Sequence, residues 1–265
     1  MPFIQIDNVV HYYTIEGAEN APALVFSNSL GSDHRIWDPV LPYFRDRFRI
    51  IRYDQRGHGL SDATPAPYSI SELVDDLAGM LDSLNIDNAL VCGLSVGGMI
   101  AQGLAASYPR RAHALVLCDT AMQIGPASMW DERIAAIKKD GIGALTDPIM
   151  ERWFTRELRD NRTTELSGYV NMLERTPVEG YIGTCCAIRD ADLREAAASI
   201  SRPTLVLCGD QDLATPPGLA RELADAVSGA TFSLIEGAAH ISCVEQPESF
   251  SRLVIDFWEE IRNAG

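Results

Sequence analysis

Short, nearly continuous apolar runs alternate with helical patterns along most of this chain. The runs are FIQI, VVHYYTI, ALVFSN, FRIIRYD, ALVCG, HALVLCD, TLVLCGD and TFSLIEG. Several consist almost wholly of Val, Leu, Ile and Cys. That composition fits strands covered on both faces, as in a mostly parallel sheet. The first two runs, joined around Asp7-Asn8, read as an antiparallel hairpin at a sheet edge. Ser69 and Glu72 form an S-x-x-E capping box. Leu73, Leu77, Leu81 and Leu84 then recur on one helical face, with Asp75, Asp76 and Asp82 elsewhere. A further helix is predicted near Thr215, with Pro216 in its first turn. The last follows Pro247 and turns Phe250, Leu253, Val254 and Phe257 inward. The alternation breaks once. From 121 to 199 there is no strand pattern, only helical pieces such as SMWDERIAAIKKDG and DPIMERWFTREL. The chain is therefore expected to form an α/β core from residues 1–120 and 200–265. Residues 121–199 are expected to form a helical cap inserted between two strands.

Composition narrows the partners. A chain of 265 residues suits one large domain, or a domain with an insertion. Its 37 acidic and 22 basic residues give a formal charge of −15. Such a field disfavours nucleic acid and anionic membranes, and neither is expected as a partner. It also repels anionic substrates at long range, so an acidic substrate needs a local basic pocket. None of the six cysteines forms a C-x-x-C pair, and Cys92, Cys118 and Cys208 lie inside apolar runs. They read as buried free thiols. The N-terminal MPFIQIDNVV lacks a basic region followed by a long apolar stretch, and no segment has the length and apolarity of a membrane span. A cytoplasmic protein of a reducing compartment is expected.

The run ALVCG passes straight into LSVGGMIAQGLAASY, a helical pattern. The junction, Gly93-Leu94-Ser95-Val96-Gly97, reads G-x-S-x-G, a tight strand-to-helix turn with a serine at its apex. A serine hydroxyl is a weak nucleophile that needs a base, and the base needs an orienting group. Histidine is the usual base, because it titrates near neutrality. Of the five histidines, His11 and His113 lie in strand-like runs and His58 in a Gly-rich turn, so all three read as structural. His34 precedes the first helix and could line a pocket. His240, in IEGAAHISCVEQPE, follows the final strand through a small-residue loop. CGDQDLATPP, with Asp210 and Asp212, likewise follows a strand. Loops after parallel strands gather at one sheet edge, where ligands bind. The Val96 N–H, at the start of the helix after Ser95, is one expected donor to an oxyanion.

The order Ser95, aspartate, His240 resembles that of the α/β-hydrolases. The pieces SNSLGS, YDQRGHGLSD, CGLSVGGM, CGDQDLATP and GAAHISCVEQPE carry the resemblance over nearly the full length. It implies an α/β-hydrolase fold, a doubly wound, mostly parallel sheet with a helical cap. It also implies Asp212 as the acid, with Asp210 shaping the turn and Asp119 at a place that some relatives use instead. The second oxyanion donor it implies is the Leu30 N–H. Where many relatives have His-Gly, this chain has Asn28-Ser29. No metal or organic cofactor is implied. A serine at the elbow, where dehalogenases and epoxide hydrolases of this fold carry aspartate, points to acyl transfer.

FSNSLGSDHRIWDPVLPYF, RYDQRGHGLSD, WDERI and RWFT together resemble the 3-oxoadipate enol-lactonases of the protocatechuate branch of aromatic catabolism. The substrate so implied is a small anionic lactone, and its carboxylate calls for a cation. Arg133 is the first candidate, because it lies one helical turn beyond Trp130. Arg152 and Arg156 come next. Trp130 and Trp153 are candidate pocket walls. For each of these cap residues, plain surface charge or packing is an equal reading. The rival activities are a cofactor-free perhydrolase or esterase, a C–C bond hydrolase, and a non-catalytic small-ligand receptor.

Overall fold

The computed structural model describes residues 2–264. All eight apolar runs form strands: β1 Phe3–Ile6, β2 Val9–Gly17, β3 Ala23–Ser27, β4 Arg49–Tyr53, β5 Ala89–Leu94, β6 Ala112–Cys118, β7 Thr204–Gly209 and β8 Thr231–Ile235. They make one sheet in the order β1-β2-β4-β3-β5-β6-β7-β8. β1 pairs with β2, and β2 with β4, antiparallel; every later pairing is parallel. The expected hairpin is thus the edge of the sheet. β5 and β7 are buried at every residue. That explains their unbroken apolar sequences, since a strand covered on both faces has no solvent side for polar residues.

Two groups of helices give this cover. α1 (Leu41–Phe44), α2 (Ile70–Ser83) and α3 (Val96–Ser107) belong to the first part of the chain. The Ser69 cap of α2 is as expected, with Ser69 Oγ accepting from the Glu72 N–H and Glu72 returning a bond to the Ser69 N–H. Between β6 and β7 come only helical elements: α4 (Ala127–Asp140), α5 (Thr146–Trp153), α6 (Arg156–Asn161), α7 (Thr163–Glu174), α8 (Val178–Asp190) and α9 (Arg194–Ser199), with a short turn at Ile142–Leu145. α10 (Pro217–Ala226), α11 (Ser242–Glu245) and α12 (Pro247–Ala264) complete the fold. α2, α3, α9 and α10 pack in one chain of contacts, while α1, α11 and α12 pack around the turn His34–Val40.

Two expectations need correction. The helix predicted near Thr215 starts at Pro217, with Pro216 extended as its N-cap. The Thr215 backbone and hydroxyl bond Asp212 instead of entering the helix. DPIMERWFTREL is not one helix. Phe154 is extended, and Thr155 caps a new helix by accepting the Leu158 N–H.

The strand order reverses at β3, which has β4 on one side and β5 on the other. The loops after β3 and β5 diverge there and open a crevice at the carboxyl edge of the sheet. The cap lies over it, since Trp130 and Trp153 join the same apolar core as the strands.

Candidate active site

The elbow explains its own glycines. Ser95 has φ +58°, a left-handed conformation that costs energy outside glycine. A Cβ on Gly93 would sit 2.2 Å from the Gly97 carbonyl oxygen, and one on Gly97 2.1 Å from that of Ser27. The strain is held by backbone bonds at both ends. The Ser95 N–H donates to the Cys118 carbonyl at 2.9 Å, and the Thr120 hydroxyl donates to the Ser95 carbonyl at 2.7 Å. Ser95, His240, Ser29 and Leu30 line one cavity of about 290 Å³, small enough for a metabolite-sized ligand.

His240 Nδ1 lies 2.9 Å from Asp212 Oδ2. Asp212 is therefore the carboxyl that orients the ring. Its contact places the proton on Nδ1 and leaves Nε2 as the acceptor nitrogen. Asp212 is itself fixed. Its Oδ1 accepts the Ala214 and Thr215 N–H groups at 2.7 and 3.0 Å, and its Oδ2 accepts the Thr215 hydroxyl at 2.8 Å. Burial disfavours its charge, but His240 and these donors outweigh burial and hold its pKa below the usual value. For His240, burial opposes the imidazolium, and the charge and hydrogen bond of Asp212 overcome it, so its pKa is raised above 6.5. Asp210 accepts the Ala238 N–H and shapes the turn, as expected.

The loop carrying Leu30 is pinned on both flanks. Asn28 donates to the Tyr53 carbonyl at 2.8 Å and accepts from Trp37 Nε1 at 2.9 Å. Its amide thus supplies both a donor and an acceptor at this point of the loop. On the other flank, the Gly31 N–H donates to His58 Nε2 at 3.0 Å. Burial lowers the His58 pKa and keeps that nitrogen an acceptor. His58 is structural, and it serves the site. The Val96 N–H opens α3, where the first helical N–H groups have no partner within the helix.

The cap forms the other wall. Trp130, Trp153, Arg133, Arg152, Tyr181, Ile149 and Ile188 all line the cavity. The Arg133 guanidinium lies 4.8 Å from the centre of the Trp130 ring. Burial and the neighbouring Arg133 charge both lower the Arg152 pKa. Among the described residues neither arginine has a carboxylate partner within ion-pair distance. Arg156 differs. It is exposed and pairs with Asp160 at 3.1 Å, because the break at Phe154 takes it off the helix face of Arg152. His34 lines a separate surface hollow with Asp54 and Tyr12. A more open hollow of about 760 Å³ lies at the amino ends of β5–β7, around Tyr108, Arg110, Arg111 and Arg202, far from Ser95 in the fold.

Several contributors carried no sequence signal. Glu245 accepts the Thr155 N–H and hydroxyl at 2.9 and 2.6 Å and the Ala239 N–H at 2.6 Å. The Ile241 N–H donates to the Trp153 carbonyl at 3.0 Å. Both chain neighbours of His240 are thereby tied to the joint between α5 and α6. Asp119, Cys208 and Asp212 bring their polar atoms within 4.8 Å of one another. Each already contacts protein partners, through Ser242 and Gly209, the Thr215 carbonyl, and His240, respectively. This cluster is a hydrogen-bonded network rather than a set of free ligands.

The arrangement has counterparts. The sequence pattern of the alpha/beta hydrolase fold matches residues 22–247. The chain is 36% identical over 248 residues to 3-oxoadipate enol-lactonase 2 of Acinetobacter baylyi, covering 94% of this chain and 92% of that protein. It superposes on the crystal structure of the enol-lactonase from Burkholderia xenovorans LB400 with a TM-score of 0.95 at 39% identity, over 97% of this chain and all of the other. It also matches Est816, an N-acyl homoserine lactone degrading enzyme, with a TM-score of 0.85 at 28% identity, over 97% of this chain and all of the other. With its sheet order, serine elbow and cap, this chain belongs to the α/β-hydrolase fold family and resembles the 3-oxoadipate enol-lactonases within it.

Proposed function

We propose that this protein opens 3-oxoadipate enol-lactone to 3-oxoadipate, with Ser95, His240 and Asp212 as the reacting set. One observation favours this reading over a general esterase. The cavity that holds Ser95 and His240 also holds two arginines that have no carboxylate partner among the described residues, in a chain of net charge −15. Two partly buried guanidiniums beside one another repel, and an anion that joins them relieves that repulsion. The enol-lactone carries a carboxylate that suits them. A neutral acyl ester or acyl-homoserine lactone leaves them unmatched.

The proposed chemistry runs through Ser95, His240 and Asp212. His240 Nε2 takes the Ser95 hydroxyl proton as Ser95 Oγ bonds to the lactone carbonyl carbon. The developing oxyanion is received by the Leu30 and Val96 N–H groups. The C–O bond of the ring then breaks. Its enolate oxygen, a better leaving group than an alkoxide, takes the proton from the His240 imidazolium, and the enol so formed tautomerises to the ketone. Water, losing a proton to the now neutral His240, attacks the acyl-enzyme; the Ser95 C–O bond breaks, Ser95 Oγ takes the proton back from His240, and the second carboxylate of 3-oxoadipate is freed. Asp212 stabilises the imidazolium in both steps and stays ionised.

The experiment is to incubate the protein with enzymatically generated enol-lactone and follow loss of its absorbance. Turnover with a kcat/KM at least about tenfold above that for a neutral lactone of similar size is expected from one charge-assisted contact. A clear preference for acyl-homoserine lactones would replace the substrate. Peracid formation or cleavage of coloured dienoates as the main activity would replace the reaction. Binding without turnover would make the protein a receptor.

A further inference from the structure

Asp119 is a second buried carboxyl beside the reacting set, and none of the steps above uses it. It follows β6 with φ +46°, a strained conformation for a side-chain-bearing residue. Its Oδ1 accepts the Gly209 N–H at 2.8 Å, and its Oδ2 lies 2.5 Å from Ser242 Oγ. Gly209 ends β7, three residues before Asp212, and Ser242 stands two residues after His240. The residues flanking Asp119, Cys118 and Thr120, hold the Ser95 backbone from both sides. Three consecutive residues at the end of β6 therefore touch all three loops of the site. We propose that Asp119 is a positioning residue that clamps the Asp212 and His240 loops to the end of β6, in register with the Ser95 elbow. The proposal rests on the reading of Ser95, His240 and Asp212 given above.

The clamp works as a neutral acid. Asp212 has His240, two backbone N–H groups and a hydroxyl as partners. Asp119 has one N–H and one hydroxyl. Two buried carboxyls this close do not both ionise near neutrality, and the charge settles where the donors are. Burial first, then the Asp212 charge, push the Asp119 pKa up to about 8, against opposing pulls from His240, Ser242 and Gly209. The remaining titratable groups that face it are the thiols of Cys118, Cys208 and Cys243, and burial raises all three. Asparagine can reproduce a neutral clamp, with its carbonyl oxygen toward Gly209 and its amide toward Ser242. Alanine reproduces neither bond.

The test follows p-nitrophenyl acetate hydrolysis from about pH 5.5 to 8 for the intact protein, Asp119→Ala and Asp119→Asn, with melting temperature and His240 ring NMR alongside. Asp119→Ala should lose about tenfold or more in kcat at a KM within about twofold, a signature of lost alignment rather than lost binding. Asp119→Asn should restore most of that kcat and leave the acid limb of kcat/KM in place. A kcat for Asp119→Ala equal to that of the unmodified protein overturns the clamp. An acid limb moved to lower pH in Asp119→Asn overturns the neutral state, because a charge that supported the His240 imidazolium would have been removed. The downfield Nδ1 proton of His240 needs no turnover to be seen. It should persist in Asp119→Asn and broaden in Asp119→Ala, and a sharp signal in Asp119→Ala overturns the proposal. Should Asp119→Ala not fold, Ser242→Ala deletes one end of the clamp and should also lower kcat at constant KM; an unchanged kcat there overturns the proposal. A protein that opens no enol-lactone yet gives the expected pattern on the aryl ester supports the clamp and loses only its substrate assignment.

Discussion

The two walls of the cavity are held in opposite ways. On the sheet side, Ser95, Asp212, His240 and the Leu30 loop are fixed by hydrogen bonds from strand ends far apart in sequence. On the cap side, Arg133 and Arg152 face the cavity without counter-ions among the described residues. A polar group with its partners in place needs no reorganisation when charge develops. A guanidinium without a counter-ion gains one only when an anion binds. In the proposed function, the sheet wall serves the reaction and the cap wall the choice of substrate. Substitutions on the two walls should separate accordingly. Changes in the sheet wall should reduce turnover of every ester or lactone, whereas changes in the cap wall should discriminate by charge.

The largest effect tests the sheet wall. Ser95→Ala and His240→Ala should each lower kcat by about 10⁴-fold or more, as in other triads, on anionic and neutral substrates alike. Near-native turnover by a folded Ser95→Ala protein would falsify a Ser95 nucleophile. A loss confined to the anionic lactone would erase the distinction between the walls.

The legibility of the two walls in sequence also differs. The strands were readable because β5, β6 and β7 are covered on both faces and so keep continuous apolar runs. Ser95 was readable because its turn admits no Cβ at Gly93 or Gly97. His240 and Asp212 followed from their places after strands, with the resemblance choosing Asp212 over Asp210. The arginines were harder. Arg152 and Arg156 are four apart and would share a helix face, but the helix ends at Trp153. Only the fold separates the cavity residue from the surface one. The Asp119–Ser242 and Glu245–Thr155 contacts join positions 123 and 90 residues apart. No local pattern announces such pairs, because neither partner needs the other to form its own turn or helix.

Asp212→Asn should come next in size. Without the carboxylate, His240 loses its preferred tautomer, and kcat at neutral pH should fall by about 10³- to 10⁴-fold. The same substitution at Asp119 should be mild, because both of its hydrogen bonds can be kept. The reverse order would move the orienting acid to Asp119. The pH profile carries the same information. The His240 pKa is raised above 6.5 by Asp212, and in the proposed reaction the free ring is the base. kcat/KM should therefore fall as pH drops through a midpoint above 6.5, and that midpoint should move down in Asp212→Asn. A midpoint that stays put would remove Asp212 as the source of the shift.

Arg133→Met tests the cap wall. A charge-assisted contact in a confined site is worth about 1.5–3 kcal/mol, or roughly ten- to a hundredfold in kcat/KM for the anionic lactone. A neutral lactone or aryl ester should be nearly unaffected. Arg152→Met should show the same selectivity, while Arg156→Met should show neither effect, since Arg156 lies on the surface with Asp160. Equal losses on both substrates from Arg133→Met would make Arg133 a support for Trp130 and the cap.

The smallest effect concerns the field outside both walls. A molecule of net charge −15 repels an anionic lactone before the lactone reaches the cap arginines. Salt screens that long-range repulsion, with a Debye length of about 30 Å at 0.01 M and about 10 Å at 0.1 M. The proposed contact with Arg133 and Arg152 would be short-ranged and partly shielded from solvent, so salt should weaken it less. Raising ionic strength from about 0.01 to 0.1 M should therefore increase kcat/KM for the anionic lactone by about twofold, through association rather than chemistry. The rate on a neutral lactone should stay flat, and kcat should stay constant for both. A fall in kcat/KM with salt for the anionic substrate alone would mean that the local field of the arginines extends beyond the cavity mouth and draws the substrate in. The cap wall would then act in capture as well as in recognition.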